Sequence, residues 1–158
     1  NSEVSFMNIE QVNSKEEKMY VCRTILEALP EWFEIEEGKE RYTTESAEQI
    51  FIKAVENNKV VGFISLKETG KATVELAVMG VLKEYHRKRI GSKLFEEAKK
   101  VALSSGYSFI QVKTVQMGKY EDYDRTNMFY LSLGFKEFEV IPQLWDEDNP
   151  CQIYVMAL

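Results

Sequence analysis

The feature of the sequence that most constrains the fold is a strand that leads through a short basic loop into an amphipathic helix. Residues 73–82 have the apolar, β-branched composition of a strand, and apolar side chains recur at helical spacing in residues 90–104. Two further strand signals, at residues 50–55 and 60–66, come before them, with turn-forming asparagine and glycine residues between the three. Tight turns between successive strands predict an antiparallel meander, which is followed here by a helix.

The other segments add helices and strands on both sides of the meander. In chain order they are a strand at 6–12, a helix that Ser14 caps, an irregular helical region at 31–48, a strand at 107–115, a helix at 124–133 that Gly134 closes, and two strands, 136–145 and 151–158, joined by a loop at 146–150. Because strands and helices are mixed in this order, we expect an α/β (α+β) fold around one mixed sheet.

The composition indicates one domain that spans residues 1–158. The 158 residues contain no low-complexity linker, and no segment has the length of a membrane helix or the features of a signal peptide. We therefore expect a cytoplasmic protein with no membrane partner, and we expect residues 1–6, ahead of Met7, to be a non-native or flexible N-terminus. Cys22 and Cys151 lie among apolar residues, which favours buried thiols over a disulfide.

The charge distribution argues against two classes of function. The net charge is −6, whereas tight binding to nucleic acid requires a broad basic face, so no nucleic-acid partner is expected. His86 is the only histidine, so no metal site is expected, and a Ser-His-Asp hydrolase would have to recruit this one side chain.

One short segment is nevertheless strongly basic. Between residues 83 and 93 lie Lys83, Arg87, Lys88, Arg89 and Lys93, with a single acid, Glu84. The first N–H groups of a helix have no partner within it, and its dipole favours an anion there. Gly91 would let a phosphate approach this backbone without a Cβ in the way. The segment therefore predicts a diphosphate cradle, and the alternative is a solvated basic loop before an ordinary surface helix.

This segment resembles the cradle of the GNAT family of acyl-CoA N-acyltransferases, Gln/Arg-x-x-Gly-x-Gly/Ala after a strand that ends Val-x-Pro-x-Tyr. The matching residues here are Val81, Tyr85 and the run His-Arg-Lys-Arg-Ile-Gly at 86–91. The departures are Lys83 in place of Pro, His86 in place of Gln/Arg, and Arg89 in place of the first Gly. Arg89 must therefore either take a negative φ or bear a strain of roughly 1 kcal/mol or more.

A second motif of the same family follows downstream. The run Phe-Tyr-Leu-Ser-Leu-Gly-Phe at 129–135 is similar to the family's Phe/Leu-Tyr-x-x-x-Gly-Phe. Tyr123 and Thr126 stand where the family usually has Asn and Ala. The resemblance implies that Tyr130 is the general acid that protonates the departing thiolate, and the alternative is a packing tyrosine.

The resemblance, which covers nearly the whole chain, implies a mixed, mostly antiparallel central sheet of about seven strands flanked by about four helices. It implies acetyl-CoA as co-substrate, with backbone N–H groups near Met79 and Val81 polarising the thioester. The residues implied in binding the cofactor are Met79, Val81, His86, Arg87, Lys88, Arg89, Ile90, Gly91, Ser92 and Tyr123.

The chemistry of amine acetylation requires a base, since an amine with a pKa near 10.4 is almost entirely protonated at pH 7. Glu75 is the only charged residue within 73–82, and strand alternation predicts that it shares a face with Ala77, Met79 and Val81. We interpret Glu75 as the general base. The alternative is an exposed strand charge that is paired across the meander.

The expected function is direct transfer of the acetyl group to an amine in a ternary complex. The acceptor is a small-molecule or peptide amine, and Trp32 and Phe33 are the expected walls of its pocket, with Tyr120, Tyr123 and Trp145 as further candidates. The alternatives are a non-catalytic acyl-CoA-binding module and, less favoured, a nucleic-acid or partner-binding domain. Family members often dimerise through the last strands, so the resemblance also allows a homodimer.

Overall fold

The computed structural model describes residues 6–31, 36–86 and 88–158 of the chain. The strands are β1 (Met7–Gln11), β2 (Ile50–Glu56), β3 (Lys59–Gly70), β4 (Thr73–Val81), β5 (Phe109–Val115), β6 (Lys136–Asp146) and β7 (Asn149–Ala157). The helices are α1 (Lys15–Glu27), α2 (Glu36–Ser46), α3 (Ile90–Ser104) and α4 (Glu121–Leu133), and a single 3-10 turn covers Lys83–Tyr85.

All seven strands form one sheet in the order β1-β2-β3-β4-β5-β7-β6. Every neighbouring pair is antiparallel except β4 and β5, which are parallel. The parallel pair is required because α3 carries the chain back across the sheet between these two strands. The expected mixed, mostly antiparallel sheet with four helices is therefore confirmed.

The helices cover the two faces of the sheet in pairs. On one face α1 packs against β2 to β4: Lys53 pairs with Glu17, and a Cβ on Gly80 would lie 3.0 Å from Ile25. The second helix, α2, packs beside α1. On the other face, a Cβ on Gly62 would lie 3.4 Å from Leu94 of α3.

The helix α4 lies on the same face as α3, because the ring of Phe135 contacts side chains of both. Its centroid lies 5.4 Å from that of Phe95 on α3 and 5.9 Å from that of Tyr130 on α4. Of the apolar stripe predicted for α3, Ile90, Leu94, Ala98 and Ala102 are buried and Val101 is partly buried. Burial of an Ile or Leu side chain contributes about 1.5–3 kcal/mol to folding.

The predicted boundaries hold where a local signal sets them. The N–H of Glu17 donates to the Ser14 hydroxyl at 3.3 Å, which caps α1, and Gly134 closes α4 with φ of 104°. Cys22 and Cys151 are buried and free, as predicted.

Several predicted boundaries were wrong, since the strand predicted at 60–66 is β3, which extends to Gly70, and the strand predicted at 107–115 begins at Phe109. The helix α4 begins at Glu121 rather than at residue 124, because acids in its first turn favour helix formation at the positive end of the dipole. The predicted loop 146–150 is a tight turn between β6 and β7, in which the Asp146 carboxylate accepts from the Asp148 N–H at 2.9 Å and from the Asn149 side chain.

A bulge in β4 changes which side chains share a face. Ser65 of β3 pairs with Val78 and Leu66 pairs with Leu76, so Ala77 is an extra residue on β4. Glu75 consequently lies on the α1 face, opposite Lys67. The prediction that Glu75 shares a face with Met79 and Val81 was therefore wrong, since the bulge breaks the alternation between them.

Candidate functional site

The sheet opens into a gap between β4 and β5. These strands pair only at Thr73, Val74 and Glu75, after which β5 pairs with β7 alone and β4 with β3 alone. The two strands thus diverge beyond Glu75, and we call the space between them the gap.

Backbone groups of β4 face this gap. The N–H of Leu82 donates to Val61 of β3 at 2.8 Å. Because alternate residues of an antiparallel pair direct their backbone groups to opposite sides, Val81 and Met79 direct theirs away from β3, into the gap. The gap therefore offers hydrogen-bond donors and acceptors of the main chain that no neighbouring strand uses.

At the open end of the gap, the start of α3 leaves backbone donors free of helix partners. The first bond within the helix joins the N–H of Lys93 to the carbonyl of Arg89 at 3.1 Å. The N–H groups of Ile90, Gly91 and Ser92 precede it. The first turn, all of which the structure describes, contains no acidic residue. This helix start is therefore suited to an anion.

Arg89 adopts the left-handed conformation that the family's glycine would take. Its φ is 59° and its ψ is 24°. Of the two alternatives for this position, the strained one is observed, and the left-handed backbone costs an L-residue roughly 1–2 kcal/mol.

Two of the predicted basic residues are engaged elsewhere. The Nζ of Lys83 lies 3.3 Å from the carboxylate of Glu31. The Nζ of Lys88 lies 5.1 Å from the ring centre of Tyr85 and 3.9 Å from the carboxylate of Glu56. The positive field at the start of α3 consequently depends less on these two lysines than the sequence indicated.

His86 folds back onto the end of β4. Its Nε2 lies 2.7 Å from the carbonyl oxygen of Val81, and since a carbonyl only accepts, this nitrogen carries the proton. The histidine thus contacts a backbone group of the gap. Arg87 lies outside the described residues.

Gly91 has a packing role that sequence reasoning missed. A Cβ there would lie 3.3 Å from the ring of Phe129 and 3.8 Å from the terminal methyl of Met79. The residue therefore lets α4 and β4 meet closely at the start of α3, in addition to its predicted role beside a phosphate.

Tyr130 projects from α4 among aromatic rings. Its ring centre lies 5.9 Å from that of Phe135 and 6.1 Å from that of Tyr154. Burial, and secondarily Tyr42, raises the pKa of Tyr130 to about 12.

Asn127 fixes α4 to the sheet and was not identified from the sequence. It is fully buried, and its Nδ2 donates to the carbonyl of Val115 at 2.9 Å and of Tyr123 at 2.6 Å. Its Oδ1 accepts from the hydroxyl of Tyr154 at 2.5 Å. Since Asn127 and Tyr130 are three positions apart on one side of the helix, these bonds also fix the position of Tyr130. The sequence signal for Asn127 is a polar residue among the apolar positions of α4, and this signal is weak.

Glu75 lies at the closed end of the gap, in the last pair between β4 and β5. Its side chain is 11% exposed and forms ion pairs with Lys113 through Oε1 and with Lys67 through Oε2, the latter at 3.7 Å. The carboxylate is thus paired, as one of our two interpretations held, but it is buried rather than exposed. Neither lysine was identified from the sequence.

The residues predicted around the acceptor are only partly described. Trp32 and Phe33 lie outside the described residues. The rings of Tyr120 and Tyr123 meet at 5.9 Å at the start of α4 and are 45% and 44% exposed, and Trp145 is 48% exposed on β6.

Within residues 6–31, 36–86 and 88–158, no group of three or more His, Cys, Asp or Glu side chains is placed to hold a metal ion. No helix in the part that the structure describes is long and apolar enough to span a membrane.

Comparison with known structures finds the same fold in several acetyltransferases. IAA acetyltransferase from Bacillus cereus is 19% identical, with a TM-score of 0.75 over 97% of this chain and 100% of that one. Aminoglycoside 6'-N-acetyltransferase complexed with coenzyme A is 21% identical, with a TM-score of 0.71 over 95% and 96%. The ribosomal-protein-S18-alanine N-acetyltransferase from Escherichia coli is 14% identical, with a TM-score of 0.70 over 96% and 94%.

A search of curated protein sequences gives no match. The model of the acetyltransferase (GNAT) family matches residues 17–135, which include the gap, the start of α3 and Tyr130. The chain therefore belongs to the GNAT family of acetyltransferases.

Proposed function

We propose that the protein transfers the acetyl group of acetyl-CoA directly to an amine, with both substrates bound together. The observation that carries this proposal is the gap between β4 and β5, which opens beside the free N–H groups at the start of α3. A diphosphate needs such donors, and an extended amide chain needs unpaired strand backbone.

Acetyl-CoA would lie with its diphosphate at Ile90, Gly91 and Ser92 and its pantetheine arm along β4. The arm would bond to the backbone of Met79 and Val81, and a backbone N–H there would polarise the thioester carbonyl. A protein of the same fold that is complexed with coenzyme A supports coenzyme A as the ligand.

Glu75 is the proposed general base. An alkylammonium at pH 7 is protonated at a cost of about 4–5 kcal/mol in reactivity, so a carboxylate near the thioester is required. The position of Glu75 at the closed end of the gap supports this role. Its ion pairs with Lys67 and Lys113 mean that the acceptor amine would have to reach a carboxylate that already binds two ammonium groups.

The replacement Glu75→Gln tests this role. We expect the rate to fall about 100-fold and its rise with pH to flatten, because the amide cannot accept the proton. Glu68→Gln is the matched control, since this carboxylate is on β3 and bonds the hydroxyl of Tyr107 at 3.1 Å. A pH profile that Glu75→Gln leaves unchanged would reassign the base to Asp122 or Asp124.

Tyr130 is the proposed general acid. With a pKa of about 12, its hydroxyl keeps its proton at neutral pH and can donate to the departing sulfur. Burial would also raise the pKa of a thiol in the same gap, so the departing thiolate would be a stronger base there than in water and would accept the proton more readily.

The acceptor is proposed to be a small-molecule or peptide amine, with Trp32 and Phe33 as part of its pocket. The relatives differ in this respect, since one is named for aminoglycosides and another for the alanine of a ribosomal protein. The acceptor therefore has to be found by experiment.

A panel of polyamines, amino acids, aminoglycosides and N-terminal peptides, each added with acetyl-CoA, tests the function through release of coenzyme A. We expect binding of coenzyme A by calorimetry and acceptor-dependent release with at least one class. Binding without release would favour the non-catalytic acyl-CoA-binding module, and no binding at millimolar ligand would refute the proposal.

A further inference from the structure

We infer that the amine of Lys113 is itself an acetyl acceptor, so that the protein acetylates this lysine in cis. The inference rests on the proposed function, because it requires acetyl-CoA to lie in the gap.

The position of Lys113 is the first support. Lys113 lies two residues beyond Gln111, which forms the last pair of β5 with Glu75 of β4. It therefore stands on the β5 side of the gap, immediately past the point where the strands diverge. The amine and the thioester of a bound acetyl-CoA would lie on the same gap, and such proximity accelerates a reaction.

The contact with Glu75 is the second support. The Nζ of Lys113 forms an ion pair with Oε1 of Glu75, the carboxylate proposed to take a proton from the acceptor. The lysine side chain is 28% exposed and that of Glu75 is 11% exposed, so the pair is largely withdrawn from water. An amine that acts as acceptor has to make this contact, and Lys113 already makes it.

Lys67 provides an internal comparison. It contacts the other oxygen of the same carboxylate at 3.7 Å, but it lies on β3, on the side of β4 that faces away from the gap. Lys67 and Lys113 therefore share the proposed base, and only Lys113 shares the gap.

The other nucleophile of this cluster is Cys151, which pairs with Val115 at the end of β5. Because Cys151 is far from Glu75 and Lys113 in the sequence, its proximity to them was not predicted. It is 0% exposed, and burial is the main cause of a raised pKa of its thiol, so the reactive thiolate is disfavoured. Lys113 is consequently the better acceptor of the two.

The transfer balances without any further reactant. Glu75 takes one proton from the Lys113 ammonium, and the neutral Nζ attacks the thioester carbonyl. The C–N bond forms and the C–S bond breaks, and Tyr130 protonates the departing thiolate. One of the two protons left on the nitrogen then passes to the Tyr130 phenolate, and the other stays on the amide. The products are acetyl-Lys113, which is neutral, coenzyme A as its thiol, and a proton that Glu75 releases to water.

Isotope-labelled acetyl-CoA tests the inference with the purified protein in the absence of any acceptor. Proteolysis and mass spectrometry then give the rate of labelling at each lysine. We expect Lys113 to be labelled at least 10-fold faster than Lys67 and exposed Lys15, with a first-order rate that does not depend on protein concentration. In Lys113→Arg the fast label should disappear, and in Lys15→Arg, which alters an exposed lysine away from the site, it should remain.

Labelling of Lys113 no faster than that of Lys67, or no faster in the folded than in the heat-unfolded protein, would refute the inference. The same preparation is assayed by calorimetry and with the acceptor panel. Binding of coenzyme A and acceptor-dependent turnover without fast labelling of Lys113 would refute this inference alone. No binding of coenzyme A would refute the proposed function together with it.

Discussion

The helices α3 and α4 occupy equivalent places and begin very differently. Each follows a strand that borders the gap, β4 in one case and β5 in the other. The described first turn of α3 contains no acid and is entered through Arg89, whereas that of α4 contains Glu121, Asp122 and Asp124. The carboxylate of Asp124 also accepts a hydrogen bond at 2.7 Å from the N–H of Gly118, which precedes α4 in the chain.

The difference shows that two helices in similar positions of one fold, α3 and α4, can have different roles. Carboxylates at the start of α4 neutralise the positive end of its dipole, while the positive end of α3 has no carboxylate in its first turn and is proposed to bind an external anion. In the proposed mechanism α3 therefore determines affinity for the cofactor, and α4 acts on the rate through Tyr130.

Removal of the Tyr130 hydroxyl should give the largest effect. We expect Tyr130→Phe to lower kcat about 100-fold or more, while the Kd of coenzyme A changes by less than about twofold. Steady-state kinetics and calorimetry measure the two quantities. A Kd that weakens as much as kcat falls would mean that α4 acts in binding, and the contrast between the helices would fail.

Tyr130 should also give a characteristic dependence of stability on pH. Its pKa is raised from 10.0 to about 12 in the folded protein. The unfolded chain therefore loses this proton first, so the stabilisation is complete below pH 10 and is lost as pH rises toward 12. In thermal unfolding, Tyr130→Phe should lose less stability between pH 9 and 11 than the parent protein does. Equal losses of stability would contradict the burial of this hydroxyl.

An acid placed in the first turn of α3 should give the next largest effect. We expect Ser92→Glu to raise the Kd of coenzyme A about 10- to 30-fold, since a carboxylate would repel the diphosphate. Its stability should stay equal or rise by about 0.3–1 kcal/mol, because the same charge favours the helix.

Asp122→Asn is the matched control on α4, where we expect a small loss of stability and no change in the Kd of coenzyme A. Calorimetry measures the Kd of coenzyme A for both variants, and thermal unfolding measures their stability. Equal changes of Kd in the two variants would show that the anion is not held at the start of α3.

The smallest effect is expected at Arg89. We expect Arg89→Gly to raise the free energy of unfolding by about 0.5–1 kcal/mol, because glycine adopts the left-handed conformation without strain. Arg89→Ala removes the charge and keeps the strain, so it should bring no such gain in denaturant unfolding. If alanine stabilises as much as glycine, charge repulsion rather than backbone strain is the cause.

Much of the fold could be predicted because its signals are local. The bounds of α3 follow from the apolar spacing of residues 90–104 and were predicted without error. The basic loop and Gly91 predict an anion site at the start of the same helix, and this stays a prediction.

The interior of the site depends on contacts between distant segments, and these could not be predicted. The bulge at Ala77 is defined only by the register between β4 and β3, which the sequence of β4 alone does not contain. Lys113 meets Glu75 from 38 residues away, and Asn127 bonds the last residue of β5 and the side chain of Tyr154 on β7. Each of these contacts is made by a single residue that no local sequence pattern marks.

The gap of this protein is made by main-chain groups rather than by side chains. Replacing Met79 or Val81 by another amino acid alters packing but leaves the N–H and C=O in place, and only proline would delete the donor. In the proposed binding mode, an alanine scan of the cofactor site would accordingly pass over the groups that would hold the ligand most directly. Binding of the cofactor by these groups would tolerate mutation of their side chains, and selection could reshape the acceptor side while that binding persists.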